Sequence, residues 1–171
     1  MAIFHTLLDL PTQDDIGIYN VTAKIQDFVD STQVQAGQVL VFSRHTTTAL
    51  AINEFEERLL IDIQHYLKKL APPAEKYLHN DLHLREVPPD EPENAHSHLM
   101  AMTLSNSEVI PIVAGRLALG TYQSVLFVEL DGPRQRTLFF KSAEKHNPSS
   151  CFLLRIQMLL KPNKHGSAVA P

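Results

Sequence analysis

Residues 37–70 read GQVLVFSRHTTTALAINEFEERLLIDIQHYLKKL, and this stretch decides the fold class. Gly37 opens an apolar run through Val39, Leu40, Val41 and Phe42, too short for a helix and rich in β-branched residues. Its continuity predicts a strand buried on both faces. His45 stands at the end of that run, followed by Thr46-Thr47-Thr48, which favour extended backbone. A second short strand is expected over 48–52. The period then changes. Phe55, Leu59, Ile63, Tyr66, Leu67 and Leu70 recur at helical spacing, predicting a helix over 54–70. Asn53 followed three residues later by Glu56 has the form of a capping box. Glu54, Glu56 and Glu57 open the helix and Lys68 and Lys69 close it, complementing its dipole, before Pro72-Pro73 stops it.

Upstream, residues 2–10 read as a strand ended by Pro11, with a turn at Asp14-Asp15 and Gly17. Asn20 is placed to cap a helix over 21–30 that keeps Val21, Ile25, Phe28 and Val29 on one face. Downstream, residues 71–94 carry five prolines and no apolar period, which predicts a long loop, functional or disordered. Asn94 then caps a helix from Ala95 to about Leu104. Three further strands follow: an edge strand over 109–113 that contains Pro111, a strand over 125–130, and its hairpin partner over 137–141 after the turn Asp131-Gly132-Pro133-Arg134. A last strand is expected over 151–160. The sum is α+β: one domain over 1–160, a mainly antiparallel, sandwich-like sheet with inserted helices, and a flexible polar tail over 161–171.

Composition narrows the function. The chain has 171 residues, 44% hydrophobic, which suits a single globular core. No apolar run approaches the ~18 residues that cross a membrane. No signal peptide is visible, and Cys151 is the only cysteine, which excludes an internal disulfide and points to the reducing cytoplasm. A net charge of −4 disfavours nucleic-acid binding by a general basic surface. Arg134, Arg136 and Lys141 read as the solvated face of an exposed strand, with a basic patch as the alternative.

Histidine is the unusual residue. Five of the nine, His65, His79, His83, His96 and His98, fall between positions 65 and 98. His45, His79, Asp81, His96 and His98 have the donor types that bind transition metals, although no HExxH or CxxC pair is present. Each single histidine also has an ordinary reading as an exposed or hydrogen-bonded side chain. In a helix His96 and His98 point about 200° apart, so one faces a site; the apolar neighbours of His98 favour His98. Asn53 and Glu54 serve either as a helix cap or as a polar contact and general base. Gly115-Arg116 and Gly120-Thr121-Tyr122-Gln123 combine close backbone approach with an Arg fork, which suits phosphate or an ordinary turn.

Five motifs occur in order: His45-Thr46-Thr47-Thr48-Ala49-Leu50, Asn53-Glu54, His79-Asn80-Asp81, Asn94-Ala95-His96-Ser97-His98, and Gly115-Arg116-Leu117-Ala118-Leu119-Gly120-Thr121-Tyr122-Gln123. Together they resemble the YjbQ-like family, often labelled secondary thiamine-phosphate synthases, over roughly residues 3–141. The last motif is the most specific. The resemblance implies a compact α+β sandwich-like domain, a homotrimer, and a cleft where histidines bind a metal or anion. It also implies a reaction that joins a pyrimidine diphosphate to a thiazole phosphate. Mapped onto this sequence, His79, Asp81 and His98 would hold a divalent metal (zinc, another transition metal or magnesium). Arg116, Gly120, Thr121 and Gln123 would hold the phosphorylated substrate, and His45, Glu54 and Asn53 would be catalytic. Two rivals use the same residues: a metal-dependent hydrolase of a small phosphorylated or carbonyl metabolite, and a non-enzymatic metabolite- or anion-binding trimer. Neither a nucleic acid nor a membrane is expected as partner. Tyr122 replaces the family's usual Trp, and residues 142–171 run beyond its usual length.

Overall fold

The computed structural model describes residues 2–144. The expected strand over 151–160 and the tail over 161–171 lie outside the described residues. The element order is β1 (Ile3–Pro11), β2 (Gly17–Asn20), α1 (Thr22–Thr32), β3 (Ala36–Ser43), β4 (Thr48–Asn53), α2 (Glu57–Leu70), α3 (Ala95–Met102), β5 (Ser107–Val113), β6 (Arg116–Leu117), β7 (Ser124–Glu129) and β8 (Gln135–Glu144). Two short 3-10 turns, Leu78–Asn80 and Leu82–Leu84, interrupt the loop between α2 and α3.

All strand pairs are antiparallel. One sheet has the order β1-β8-β3-β5-β6 and the other β2-β7-β4. The main core lies between the sheets. Val39, Val41, Leu138 and Phe140 of the larger sheet meet Leu50, Val125 and Phe127 of the smaller, with Val21 at the start of α1 and Ile25 and Val29 within it closing one side. A second cluster sits on the opposite face of the smaller sheet. There Ala49, Val128 and Leu130 pack against Leu67 of α2 and Met100 of α3. The fold is the expected α+β sandwich-like arrangement, with α2 and α3 as a third layer. Among the described residues no helix is long and apolar enough to cross a membrane.

Four local expectations change. β3 is not buried on both faces: Val39, Val41 and Ser43 are buried while Leu40 and Phe42 are half-buried. It is β7, covered by a core on each side, that is buried through two faces. The helix after β4 starts later than expected, because Asn53 pairs with Ser124 as the last residue of β4. Glu56 caps it instead, its carboxylate accepting the N–H groups of Arg58 and Leu59 at 3.0 and 2.9 Å. The α2 stripe is also only partly covered, with Leu67 buried but Phe55, Tyr66 and Leu70 exposed.

The fourth change moves a strand between sheets. β7 and β8 do not form a hairpin; β7 pairs with β2 and β4, and β8 with β1 and β3. The turn between them is pinned across both layers. Gly132 N–H donates to the Asp15 carbonyl at 3.1 Å, and Thr12 N–H to the Arg134 carbonyl at 2.9 Å. A Cβ on Gly132 would lie 2.1 Å from the Asp14 carbonyl oxygen, so only glycine allows the approach. A hairpin signal in the sequence therefore marks a crossover from one sheet to the other.

Candidate functional site

Two local devices bring histidines together. In the loop after α2, the Asn80 side-chain oxygen accepts the N–H of Ala95 at 3.1 Å, satisfying one of the free donors that open α3. Asn94, at the N-cap, donates from Nδ2 to Asp131 Oδ2 at 2.8 Å instead of capping its own helix. These bonds tie His79, the neighbour of Asn80, to the first turns of α3. The result is an edge-on pair of imidazoles, His79 and His98, with ring centroids 4.9 Å apart. His79 Nε2 is buried and has no hydrogen-bond partner among the described residues. Burial, followed by the neighbouring His79, pushes the pKa of His98 down against the opposing charges of Asp131 and Glu91. His98 therefore favours the neutral form that ligates or accepts protons. His96 Nδ1 is likewise buried without a hydrogen-bond partner among the described residues.

The second device is the loop between β3 and β4. Thr48 Oγ1 donates to the His45 carbonyl at 3.3 Å, and the Ser43 and Thr48 hydroxyls share a short hydrogen bond. His45 Nε2 accepts the backbone N–H of Thr137 at 3.0 Å. That bond needs a lone pair on Nε2, so the ring proton of neutral His45 sits on Nδ1. Burial lowers the pKa of His45, Arg136 and Arg44 add to the effect, and Glu129 opposes it.

Behind His45 lies a charged pair that sequence reasoning misplaced. Arg136 is buried, neither on a solvated strand face nor in an exposed basic patch. Its guanidinium forks onto Glu129, Nε to Oε2 at 2.7 Å and Nη2 to Oε1 at 2.6 Å, and Nη2 also reaches Thr47 Oγ1 at 3.0 Å. Glu129 accepts further from Leu130 N–H, Asp131 N–H and the Thr12 hydroxyl. Burial alone would raise the pKa of Glu129, but these bonds outweigh it and hold the carboxyl below its usual range. A glutamate inside the apolar run Val125–Leu130 was the available signal, because a buried charge requires a partner.

A cavity of about 870 Å³ opens between these devices, with Arg44, His45, Thr46, His98, Ser105 and Asn106 on its walls. Arg44, Ser105 and Asn106 were not expected in the site. Only Arg44 carried a hint, as the neighbour of His45. The cavity offers one cation, a neutral imidazole donor at His45 and hydroxyl and amide groups, which suits a phosphate or another small anion.

The remaining expected residues lie elsewhere. The trio His79, Asp81 and His98 does not close: no group of three or more His, Cys, Asp or Glu that could hold a metal ion occurs among the described residues. Of that trio, His79 and His98 are the two whose rings meet. Asn53 and Glu54 stand exposed at the far end of β4 from Thr48. Five residue steps at ~3.3 Å separate those ends by roughly 17 Å. Asn53 Oδ1 accepts the N–H of Glu54. Arg116 and Gln123 line a different cavity, of about 630 Å³, beside α1. Gln123 Oε1 accepts the Gly120 N–H at 2.7 Å, so the turn uses internally the donor expected to cradle phosphate. Thr121 and Tyr122 are exposed in the same turn. Within one chain the histidine half and the Arg116–Gln123 half are thus separate.

The sequence model of the family described as UPF0047 protein YjbQ-like matches residues 6–145. A UPF0047 protein of Archaeoglobus fulgidus is 42% identical over 135 residues, covering 79% of this chain and 98% of the relative. One from Methanothermobacter thermautotrophicus is 37% identical over 145 residues, covering 85% and 95%. Among solved structures, a hypothetical protein of Aeropyrum pernix superposes with a TM-score of 0.75 at 35% identity, covering 83% of this chain and 99% of its own. A YbjQ-like protein of Sulfolobus solfataricus gives 0.76 at 29% identity, covering 84% and 99%.

Proposed function

The chain belongs to the UPF0047 YjbQ-like family, and from that premise we propose that it is an enzyme acting on a small phosphorylated metabolite in the cavity between His45 and His98. One observation carries the reading. His98 lines the Arg44–His45 cavity while its ring meets His79, whose Nε2 is buried without a partner among the described residues. The exposed Arg44 supplies the counter-charge for a phosphate. His45, with its proton on Nδ1 and its Nε2 occupied by Thr137, is a neutral hydrogen-bond donor to a phosphoryl or leaving-group oxygen. Where no metal is bound, proton acceptance then falls to the single lone pair of the neutral His98 imidazole. Glu54 of the same chain stands too far away for it. A divalent ion held by His79 and His98, with substrate oxygens completing its shell, would polarise a P–O bond. Arg85 donates to the His79 carbonyl at 2.6 Å and so fixes the loop that carries this ligand.

Two reactions use this arrangement. Hydrolysis of one phosphorylated substrate needs only the histidine half, and the separation of the Arg116–Gln123 half favours it. The thiamine-phosphate synthase-type transfer implied by the family resemblance needs both halves at one place. The proposed homotrimer supplies that if the Asn53–Glu54 and Arg116–Gln123 end of one subunit meets the histidine end of the next.

The test is elemental analysis of untagged protein purified without chelator, beside a His79→Ala/His98→Ala variant. Near one divalent ion per chain in the wild type, lost in the variant, supports the histidine pair as ligands. No metal after incubation with zinc or manganese removes that assignment. Hydrolysis shows as phosphate release from one substrate. The transfer shows as pyrophosphate release that requires both a pyrimidine diphosphate and a thiazole phosphate. Phosphate binding without turnover of either kind would leave a non-enzymatic anion-binding protein.

A further inference from the structure

His98 borders a second cavity. This one, of about 480 Å³, lies on the other side of the histidine pair and is lined by Lys76, Tyr77, Leu78, His79, Ala95 and Leu99 with His98 itself. Its chemistry differs from that of the first cavity. Leu78 is 88% exposed and Leu99 43% exposed, so both project apolar surface that none of the described residues covers. The Tyr77 hydroxyl donates to the Pro72 carbonyl at 2.9 Å, which leaves its ring as wall and commits its polar atom elsewhere. Apart from the shared histidines, the exposed Lys76 is the one remaining polar side chain of the lining.

His98 therefore stands at the junction of two spaces. One presents Arg44, His45 and hydrogen-bonding groups beside Phe42, Met102 and Leu104; the other is almost wholly hydrocarbon. A ligand lying across His98 meets a cation at one end and an apolar pocket at the other. We infer that the Tyr77–Leu78–Leu99 pocket holds the hydrocarbon part of a substrate whose phosphate lies against Arg44 and His45. The substrate class is an organophosphate carrying an apolar alkyl or aryl group. A ring bearing several hydrogen-bonding groups is disfavoured, because the apolar wall would leave them unpaired. This rests on the proposed function, since it assumes that the first cavity takes the phosphate.

The experiment compares calorimetric binding of inorganic phosphate and n-hexyl phosphate to the full chain. Its controls are Leu78→Ser, Leu78→Ser/Leu99→Ser and Arg44→Ala. Burial of several methylenes should make hexyl phosphate bind at least about tenfold more tightly than phosphate in the wild type. The serine variants alter exposed side chains. They should erase that gain and leave phosphate affinity unchanged, whereas Arg44→Ala should weaken both ligands. Equal affinities in the wild type, or a gain that survives both serine variants, overturns the pocket assignment alone. Failure of both ligands to bind overturns the phosphate reading of the first cavity and this inference with it.

Discussion

The imidazole of His45 and the backbone of Thr137 meet across the gap between the β3–β4 loop and strand β8, with the Thr137 N–H donating to Nε2 at 3.0 Å. This contact fixes the tautomer, and burial with Arg136 and Arg44 nearby keeps the ring neutral. The folded pKa lies below the ordinary value of 6.5. The unfolded chain thus binds the extra proton first, and the contribution of His45 to stability is present above pH 6.5 and lost as pH falls through the folded value. Nitrogen-15 ring spectra should show Nδ1 as the protonated nitrogen of the neutral ring, with a protonation midpoint below 6.5. An Nε2-protonated ring, or a midpoint at or above the ordinary value, would refute the donor role.

Arg136 and Glu129 set the next expectation. A buried, forked ion pair is often replaceable by apolar residues without loss, because desolvation cancels much of its attraction. Here the carboxylate also accepts two backbone N–H groups and the Thr12 hydroxyl. Removing it strands three donors beside the crossover turn. Arg136→Met should destabilise the fold by roughly 3–5 kcal/mol. The Arg136→Met/Glu129→Leu double variant should recover little of that. Urea unfolding of both variants decides the point. A double variant as stable as the wild type would mean that the pair is electrostatically idle and that the backbone donors find water.

The same two residues show where the sequence was legible and where it was not. Periodicity and apolar runs found α1, β3, β4, α2, α3, β5, β7 and β8, which bury apolar side chains, and also β1, which is exposed except at Leu8 and Leu10. It missed β2, whose four residues carry too few side chains to show a period. It also misread the pairing of β7 with β8. Asp-Gly-Pro between two β-rich runs is local chemistry, and the decision to cross between sheets is made by Asp15 and Thr12, more than a hundred residues earlier. For the site, His98 lines two cavities. The meeting of His79 with His98 depended on Asn80 capping another element's helix, which no spacing rule encodes. The motif of residues 115–123 was visible as a motif, yet its Gln123 serves its own turn.

Glycine substitutions separate the crossover turn from the β5–β6 turn. At Gly115, φ is +74° and the nearest atoms to an added Cβ belong to the flexible Gln35 amide, 3.3 Å away. Gly115→Ala meets mainly the left-handed backbone penalty and should cost about 1–2 kcal/mol. At Gly132 the added Cβ would fall 2.1 Å from the Asp14 carbonyl and 2.9 Å from Glu129 Cγ. Relief requires the turn to withdraw from Asp15 or Glu129 to shift away from Arg136. Either movement reaches His45, because Arg136 precedes Thr137, the residue that holds the ring. Gly132→Ala should therefore cost on the order of 3 kcal/mol or more, and it should change the His45 ring spectrum in whatever fraction remains folded. Gly115→Ala should leave that spectrum untouched. Thermal melts with ring nitrogen spectra on both variants provide the comparison. Equal costs, or an unchanged His45 signal in folded Gly132→Ala, would show that the turn and the histidine are not mechanically coupled.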